Sequence, residues 1–368
     1  MSDVTLKHKI ALGLIPRIGD ISARKLVAYF GSVEAIFHEP FRNLVKIPGI
    51  GSGIAKYISE RSYLDDAEKE AEYVSNNNIS TYFYLDSNYP FRLRQCEDSP
   101  VVFFFKGTSD LNASKILSVV GTRNATQRGR ELCDSIIGGL AAGHPDLIIV
   151  SGLAYGVDIA AHKAAIANNL QTIGVLAHGF KTVYPAIHAS TAKTMTKNGG
   201  LLSDFLSDAL PERNNFLKRN RIIAGIADAT LVIESGIKGG ALVTADIANS
   251  YNKDVLAVPG RPDDQWSAGC NSLIKSNKAS LVESSDDIEY FLNWRSEKTK
   301  APVQKTLFSD LDENEKIIYE LLVSEGEQTI DVICRTTGFP VHVLSSMLLQ
   351  MEFKNNVKCY PGNVYKAC

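Results

Sequence analysis

The run Leu147-Ile148-Ile149-Val150, followed by Ser151-Gly152-Leu153-Ala154-Tyr155-Gly156 and then by a helix-like segment at 159–168, decides the fold. Four apolar residues in a row have the length of a strand covered on both faces, and a glycine-bearing turn closes it. The unit recurs. Apolar runs at 116–120, 172–176, 230–233 and 255–258 alternate with helix-like segments at 127–142, 187–197, 216–226 and 241–251. Strands apolar on both faces that alternate with helices imply an α/β fold built on a doubly wound, mostly parallel, Rossmann-like sheet.

Ligands of such a sheet bind beyond the carboxyl ends of its strands. Here those ends carry Gly121-Thr122-Arg123, Ser151-Gly152, His178-Gly179, the loop Glu234-Ser235-Gly236-Ile237-Lys238-Gly239-Gly240, and Pro259-Gly260. Glycine turns and helix N-termini gathered on one edge offer backbone amides to an anion, so a phosphate-bearing ligand is expected. No G-x-G-x-x-G follows a strand and no G-x-x-x-x-G-K-[ST] occurs, which leaves a mononucleotide or a nucleic-acid backbone. The segment 211–221 favours the second: Arg213, Lys218, Arg219 and Arg221 stand against Glu212 alone, with Phe216 midway between Arg213 and Arg219. Cations beside an aromatic face suit single-stranded nucleic acid. The alternative is that Phe216 anchors its helix in the core and the arginines form a solvated face.

Outward from the sheet, residues 81–106 are rich in aromatics and prolines and read as an extended lead-in packed on the sheet domain. Residues 1–80 contain a repeat, Ile15-Pro16-Arg17-Ile18-Gly19 and Ile47-Pro48-Gly49-Ile50-Gly51, each followed by an amphipathic segment. It has the form of a helix-hairpin-helix, SAM-like domain whose turns either face a phosphate or merely connect helices. The sheet domain is assigned to 81–292 and a polar linker to 293–308. Residues 309–368 form a winged helix, with helical faces at Ile317, Leu321 and Leu322, at Ile330, Val332 and Ile333, and at Val343, Leu344, Met347 and Leu348, before a hairpin around Pro361-Gly362-Asn363.

The whole chain has 368 residues, 45% of them hydrophobic and 22% charged, with a formal net charge of −2. A nucleic-acid site must therefore be a local patch, because the chain has no overall basic excess. No apolar run approaches the roughly 20 residues of a membrane-spanning helix and no signal peptide opens the chain, so a cytosolic protein is expected. Six cysteines without a C-x-x-C pair read as reduced packing residues.

Val119-Val120-Gly121-Thr122-Arg123, the stretch from Val150 through Asp158 with Ala161-His162, Phe216 with Arg219-Asn220-Arg221-Ile222-Ile223-Ala224-Gly225, Val258-Pro259-Gly260 and Gly269-Cys270-Asn271 together resemble the DNA-processing protein A (DprA/Smf) family. The resemblance implies a homodimer that coats incoming single-stranded DNA, works alongside or displaces single-strand-binding protein, and helps load the RecA recombinase during natural transformation. It implies a binding site drawn from Gly121, Thr122, Arg123, Ser151, Gly152, Arg213, Phe216, Arg219, Asn220, Arg221, Lys238, Gly239 and Gly240, with no cofactor, no metal and no catalytic residue. One departure concerns the loop Gly239-Gly240-Ala241-Leu242-Val243-Thr244-Ala245, where members commonly read Ser-Gly-Ser-Leu-Ile-Thr-Ala. Two hydroxyl donors are lost there, and backbone amides must replace them.

Asp158 and His162, four residues apart, share a helical face but lack a third ligand, so a capping Asp158 and a packed His162 are expected instead of a metal or acid–base pair. A nucleotide phosphoribohydrolase of the lysine-decarboxylase-like fold would need a glutamate where Ile247 stands. A winged-helix regulator of duplex DNA would need cations on its recognition helix, and residues 341–350 hold none.

Overall fold

The computed structural model describes residues 3–295, 311–354, 356–360 and 363–367. The chain divides into two compact units, Met1–Arg295 and Ser296–Cys368. The first is built on nine strands: β1 (Ser80–Phe83), β2 (Val102–Gly107), β3 (Ile116–Val120), β4 (Ile148–Ser151), β5 (Gln171–Val175), β6 (Gly199–Ser203), β7 (Ala229–Val232), β8 (Asp254–Ala257) and β9 (Ser280–Leu281). Their order across the sheet is β1-β2-β6-β5-β4-β3-β7-β8-β9. The pairings from β6 through β9 are parallel. β1 and β2 close one edge antiparallel. The lead-in expected at 81–106 is thus part of the sheet itself, with Phe103, Phe104 and Phe105 fully buried. β6, whose Gly199-Gly200 start conceals it in the sequence, joins β2 to the parallel strands.

Along β3 the side chains alternate between two cores. Ile116 and Val120 pack with Ile222, Ile223 and Ala245 of the helices Arg213–Ile226 and Gly240–Ser250. Leu117 and Val119 pack with Cys133, Ile137, Ala161 and Ala165 of the helices Gln127–Gly143 and Val157–Ala167. The two helices that follow β3 and β7 therefore lie on opposite faces, and the gap between the ends of these strands is the topological switch point, where an open sheet leaves a crevice.

Six helices within residues 3–76 share a core with the sheet edge: Ile10, Leu26 and Ile36 pack with Phe83, Val102 and Phe104. Both hairpin turns of the repeat hold a left-handed residue at the same place, Arg17 at φ 64° and Gly49 at φ 88°. The first turn is docked, since the Asp20 carboxylate accepts the Val101 amide at 2.8 Å and pairs with Arg221 at 3.2 Å. Most of the linker expected at 293–308 lies outside the described residues, but its beginning does not behave as a linker: Trp294 is buried beside His144.

The second unit has three helices, Glu313–Glu325, Ile330–Thr337 and Val341–Phe353, and a three-stranded sheet of Gln328–Thr329, Val364–Ala367 and Val357–Tyr360. Its core is Ile318, Leu322, Ile333, Leu344, Leu348 and Met351. Ile318 takes the inward place expected of Ile317, which is exposed, and Val343 is likewise exposed beside buried Leu344. Pro361, Gly362 and Cys368 lie outside the described residues.

Candidate nucleic-acid interface

At the switch point a cavity of about 610 Å³ opens between the carboxyl ends of β3 and β7. The loop after β3 supplies Gly121, Thr122, Arg123 and Asn124; the turn after β4 supplies Ala154, and the first turn of the helix Val157–Ala167 supplies Asp158. The helix Arg213–Ile226 supplies Arg213, Phe216, Leu217, Arg219, Asn220 and Ile223, and the far side is Gly239, Gly240, Ala241, Thr244 and Trp266.

The helices that follow β3 and β7 present their N-termini to this crevice differently. The Glu234 carboxylate accepts the Thr126 amide at 2.9 Å and the Thr126 hydroxyl at 2.5 Å, so the start of the helix Gln127–Gly143 already faces a protein anion. The helix Gly240–Ser250 begins after Gly239 with no side-chain cap, and a Cβ at Gly240 would meet nothing within 4 Å. The Leu242 amide turns back to the Gly239 carbonyl at 3.1 Å, and the uncapped start before it can face an anion, which suits a loop that has lost two of the family's hydroxyls.

Phe216 is half-buried and belongs to none of the hydrophobic cores. The Arg123 guanidinium lies over its ring at 5.0 Å, that of Arg219 at 5.9 Å, and Tyr184 meets it edge-on at 6.0 Å. Arg123 and Arg213 are exposed at the rim. A base stacking on Phe216 must displace the exposed Arg123, an exchange that costs only about 0.5–1 kcal/mol at such a site.

Arg219 differs from the rim arginines. It is 4% exposed, donates from Nη1 to the Val175 carbonyl at 2.7 Å, and its Nε has no hydrogen-bond partner. Burial pushes its pKa down to about 10, against the pull of Asp158. Asp158 is also buried and accepts one long hydrogen bond, from the Ala154 amide at 3.4 Å. Burial raises its pKa, while Arg219 and, less strongly, Arg123 lower it. His162 packs below, its Nδ1 2.7 Å from the Thr172 hydroxyl, and burial lowers its pKa to about 3.

The structure brings together Gly121, Thr122, Arg123, Arg213, Phe216, Arg219, Asn220, Gly239 and Gly240. It does not place the other expected residues on the cavity wall. The Ser151 hydroxyl points into the sheet and donates to the Val119 carbonyl at 2.6 Å. Gly152 lies behind Arg219, where an added Cβ would land inside the guanidinium. Arg221 faces the N-terminal helices, paired with Asp204 at 2.6 Å. Lys238 lines an adjoining recess with Ile237, Gln265 and Trp266. Sequence reasoning missed Asp158, Thr244 and Trp266 as lining residues; Asn124, next to Arg123, stands beside the site as its position in the sequence suggests.

Residues 80–293 match the pattern of the family described as DNA recombination-mediator protein A. The chain belongs to that family. Residues 9–71 match a helix-hairpin-helix motif and residues 302–363 a DprA winged helix domain, as flanks of the recombination-mediator domain. The family member Smf of Escherichia coli K12 is 32% identical over 293 residues, 76% of either chain. The DNA processing protein DprA of Streptococcus pneumoniae is 34% identical over 234 residues, 64% of this chain and 80% of its own. Among solved structures, DNA processing protein A of S. pneumoniae superposes with a TM-score of 0.58 at 29% identity, covering 74% of this chain and 98% of its own. Its Helicobacter pylori counterpart, whose structure addressed a single-stranded DNA binding mode, superposes with a TM-score of 0.52 at 25% identity over 60% of this chain and 96% of its own.

Proposed function

We propose that this recombination-mediator family member binds single-stranded DNA in the switch-point cavity and does no chemistry on it. The observation that carries the reading is the half-buried Phe216 ring set among Arg123, Arg213 and Arg219 beside an open helix N-terminus. An aromatic face takes a base and the cations take its phosphates, an arrangement tolerant of base sequence. The single-strand binding named for the H. pylori relative supports it.

The finer reading is a cytosolic homodimer that acts with single-strand-binding protein and helps load RecA in transformation. Among the described residues no single helix is long and apolar enough to cross a membrane. The winged helix fits a protein partner better than duplex DNA, because its helix Val341–Phe353 has no Arg or Lys and exposes Val341, Leu349 and Phe353.

The test is a titration of the full chain with labelled single-stranded and duplex oligonucleotides at two salt concentrations. Preference for the single strand with a steep salt dependence is expected. Equal affinity for duplex, or metal-dependent loss of the oligonucleotide, overturns the reading.

A further inference from the structure

The inner wall of the cavity carries more polar side chains than binding without regard to sequence requires. Beyond the Phe216 ring and the rim arginines it presents Asp158, 8% exposed, and Asn220, 9% exposed. Among the described residues the Asn220 amide has no hydrogen-bond partner, and the Asp158 carboxylate has only the long bond from Ala154 and the Ser151 hydroxyl nearby. Neither side chain is among the fully enclosed unpaired groups, so these polar atoms face the cavity, and a ligand that displaces water from them must complete their hydrogen bonds.

A carboxylate beside a phosphate would repel it; beside a base it can accept hydrogen bonds. The rim cations and the uncapped N-terminus of the helix Gly240–Ser250 suit a phosphate. That leaves the base on the side of Phe216, Asn220 and Asp158. Arg219 favours the ionised form of Asp158 against the effect of burial, and in that form the carboxylate accepts and never donates, so the edge it reads must show adjacent donors. Guanine alone among the four bases does, through N1–H and the 2-amino group. Its O6 then faces the Asn220 amide as an acceptor, and such an edge is read together with stacking when a base leaves the helical stack. Thymine and cytosine each set an acceptor, O2, at the position of the 2-amino group, and adenine sets N1 at that of N1–H.

We propose that Asp158 and Asn220 make this cavity a guanine-preferring subsite, with Asp158 the determinant through N1–H and the 2-amino group. The inference rests on the single-strand reading of the same cavity. A simpler role for Asp158, as counter-charge to buried Arg219, involves no base and predicts no preference.

The experiment uses the full chain and labelled oligothymidines of about 15 nucleotides, long enough for a single-strand site, with one central guanine, hypoxanthine, adenine or cytosine. Hypoxanthine keeps N1–H and O6 but lacks the 2-amino group. Guanine should bind on the order of tenfold more tightly than hypoxanthine, the discrimination expected of one good bidentate pair. Asp158→Asn should erase that ratio whatever it does to absolute affinity. If the variant does not fold, the wild-type comparison decides alone. Equal affinity for guanine and hypoxanthine while oligothymidine binds normally overturns the subsite and leaves the single-strand reading standing. Failure of every oligonucleotide to bind overturns both.

Discussion

Gly152→Ala, a one-carbon change at a residue that does not line the cavity, should disable the site through Arg219. Gly152 has no left-handed φ, so alanine is compatible with its backbone, but the new Cβ falls inside the Arg219 guanidinium. Arg219, 4% exposed, must shift its guanidinium toward the cavity, which breaks its bond to the Val175 carbonyl. A hydrogen bond from a charged donor contributes about 1.5–3 kcal/mol, and that is the expected loss of stability. In an Arg219→Ala background the clashing atoms are gone, and Gly152→Ala should cost within about 0.5 kcal/mol. The two changes therefore couple by about 1–2.5 kcal/mol. Urea unfolding followed by tryptophan fluorescence measures it cleanly, because both tryptophans, Trp266 and Trp294, lie in the unit that holds the site. Additive effects within about 0.5 kcal/mol would refute the packing argument.

Phe216→Ala should weaken single-strand binding by about 1–3 kcal/mol with an unchanged salt slope and little loss of stability, since the ring is outside the cores; a large fall in melting temperature with normal affinity would return it to a structural role. Arg123→Ala should instead reduce the salt slope by about one unit, as read from titrations at several ionic strengths. Arg221→Ala should leave single-strand affinity in place yet cost about 3 kcal/mol in urea unfolding, by stranding the carboxylates of Asp20 and Asp204. Burial lowers the pKa of His162 to about 3, so it stays neutral in the fold at pH values where the unfolded chain takes up a proton, near the ordinary histidine value of 6.5. The unfolded state binds more protons between those values, so stability falls as pH is lowered through that window, by up to about 1.4 kcal/mol per unit. His162→Gln should flatten the urea-measured stability profile between about pH 6.5 and 5.

The parallel part of the fold was legible because its strands are buried on both faces and leave continuous apolar runs such as Ile148-Ile149-Val150. β6 reads Gly-Gly-Leu-Leu-Ser, and its glycines hide it; they are there because neighbours press close, an added Cβ on Gly200 striking the Phe105 ring. β1 and β2 were read as a lead-in because antiparallel edge strands have no crossover helix to mark them. Ile317 and Ile318 show a different limit: adjacent residues of like hydrophobicity differ by about 100° around a helix, and composition cannot choose between them.

The same geometry explains what happened to the basic segment, which in sequence looks like one patch. The helix Arg213–Ile226 turns it into two. Arg213, Phe216, Asn220 and Ile223 recur at helical spacing and line the switch-point cavity. Lys218 and Arg221, three residues apart, share another face and line a cavity with Asp20, Asp98, Asp204 and Asp208. Arg221 is neutralised there by pairing, so it adds nothing to the field at the DNA site. Arg219 lies between the two faces and is driven inward, where Gly152 makes room for it. A linear count of four cations therefore overstates what this segment offers a phosphate chain. Arg123, 93 residues earlier in the chain but over the same Phe216 ring, restores part of the difference from the opposite wall. The affinity of the site should accordingly follow Arg123 and Arg213 in its salt dependence and Phe216 in its salt-independent part, and the sum of single charge removals within 211–221 should fall short of a four-cation slope.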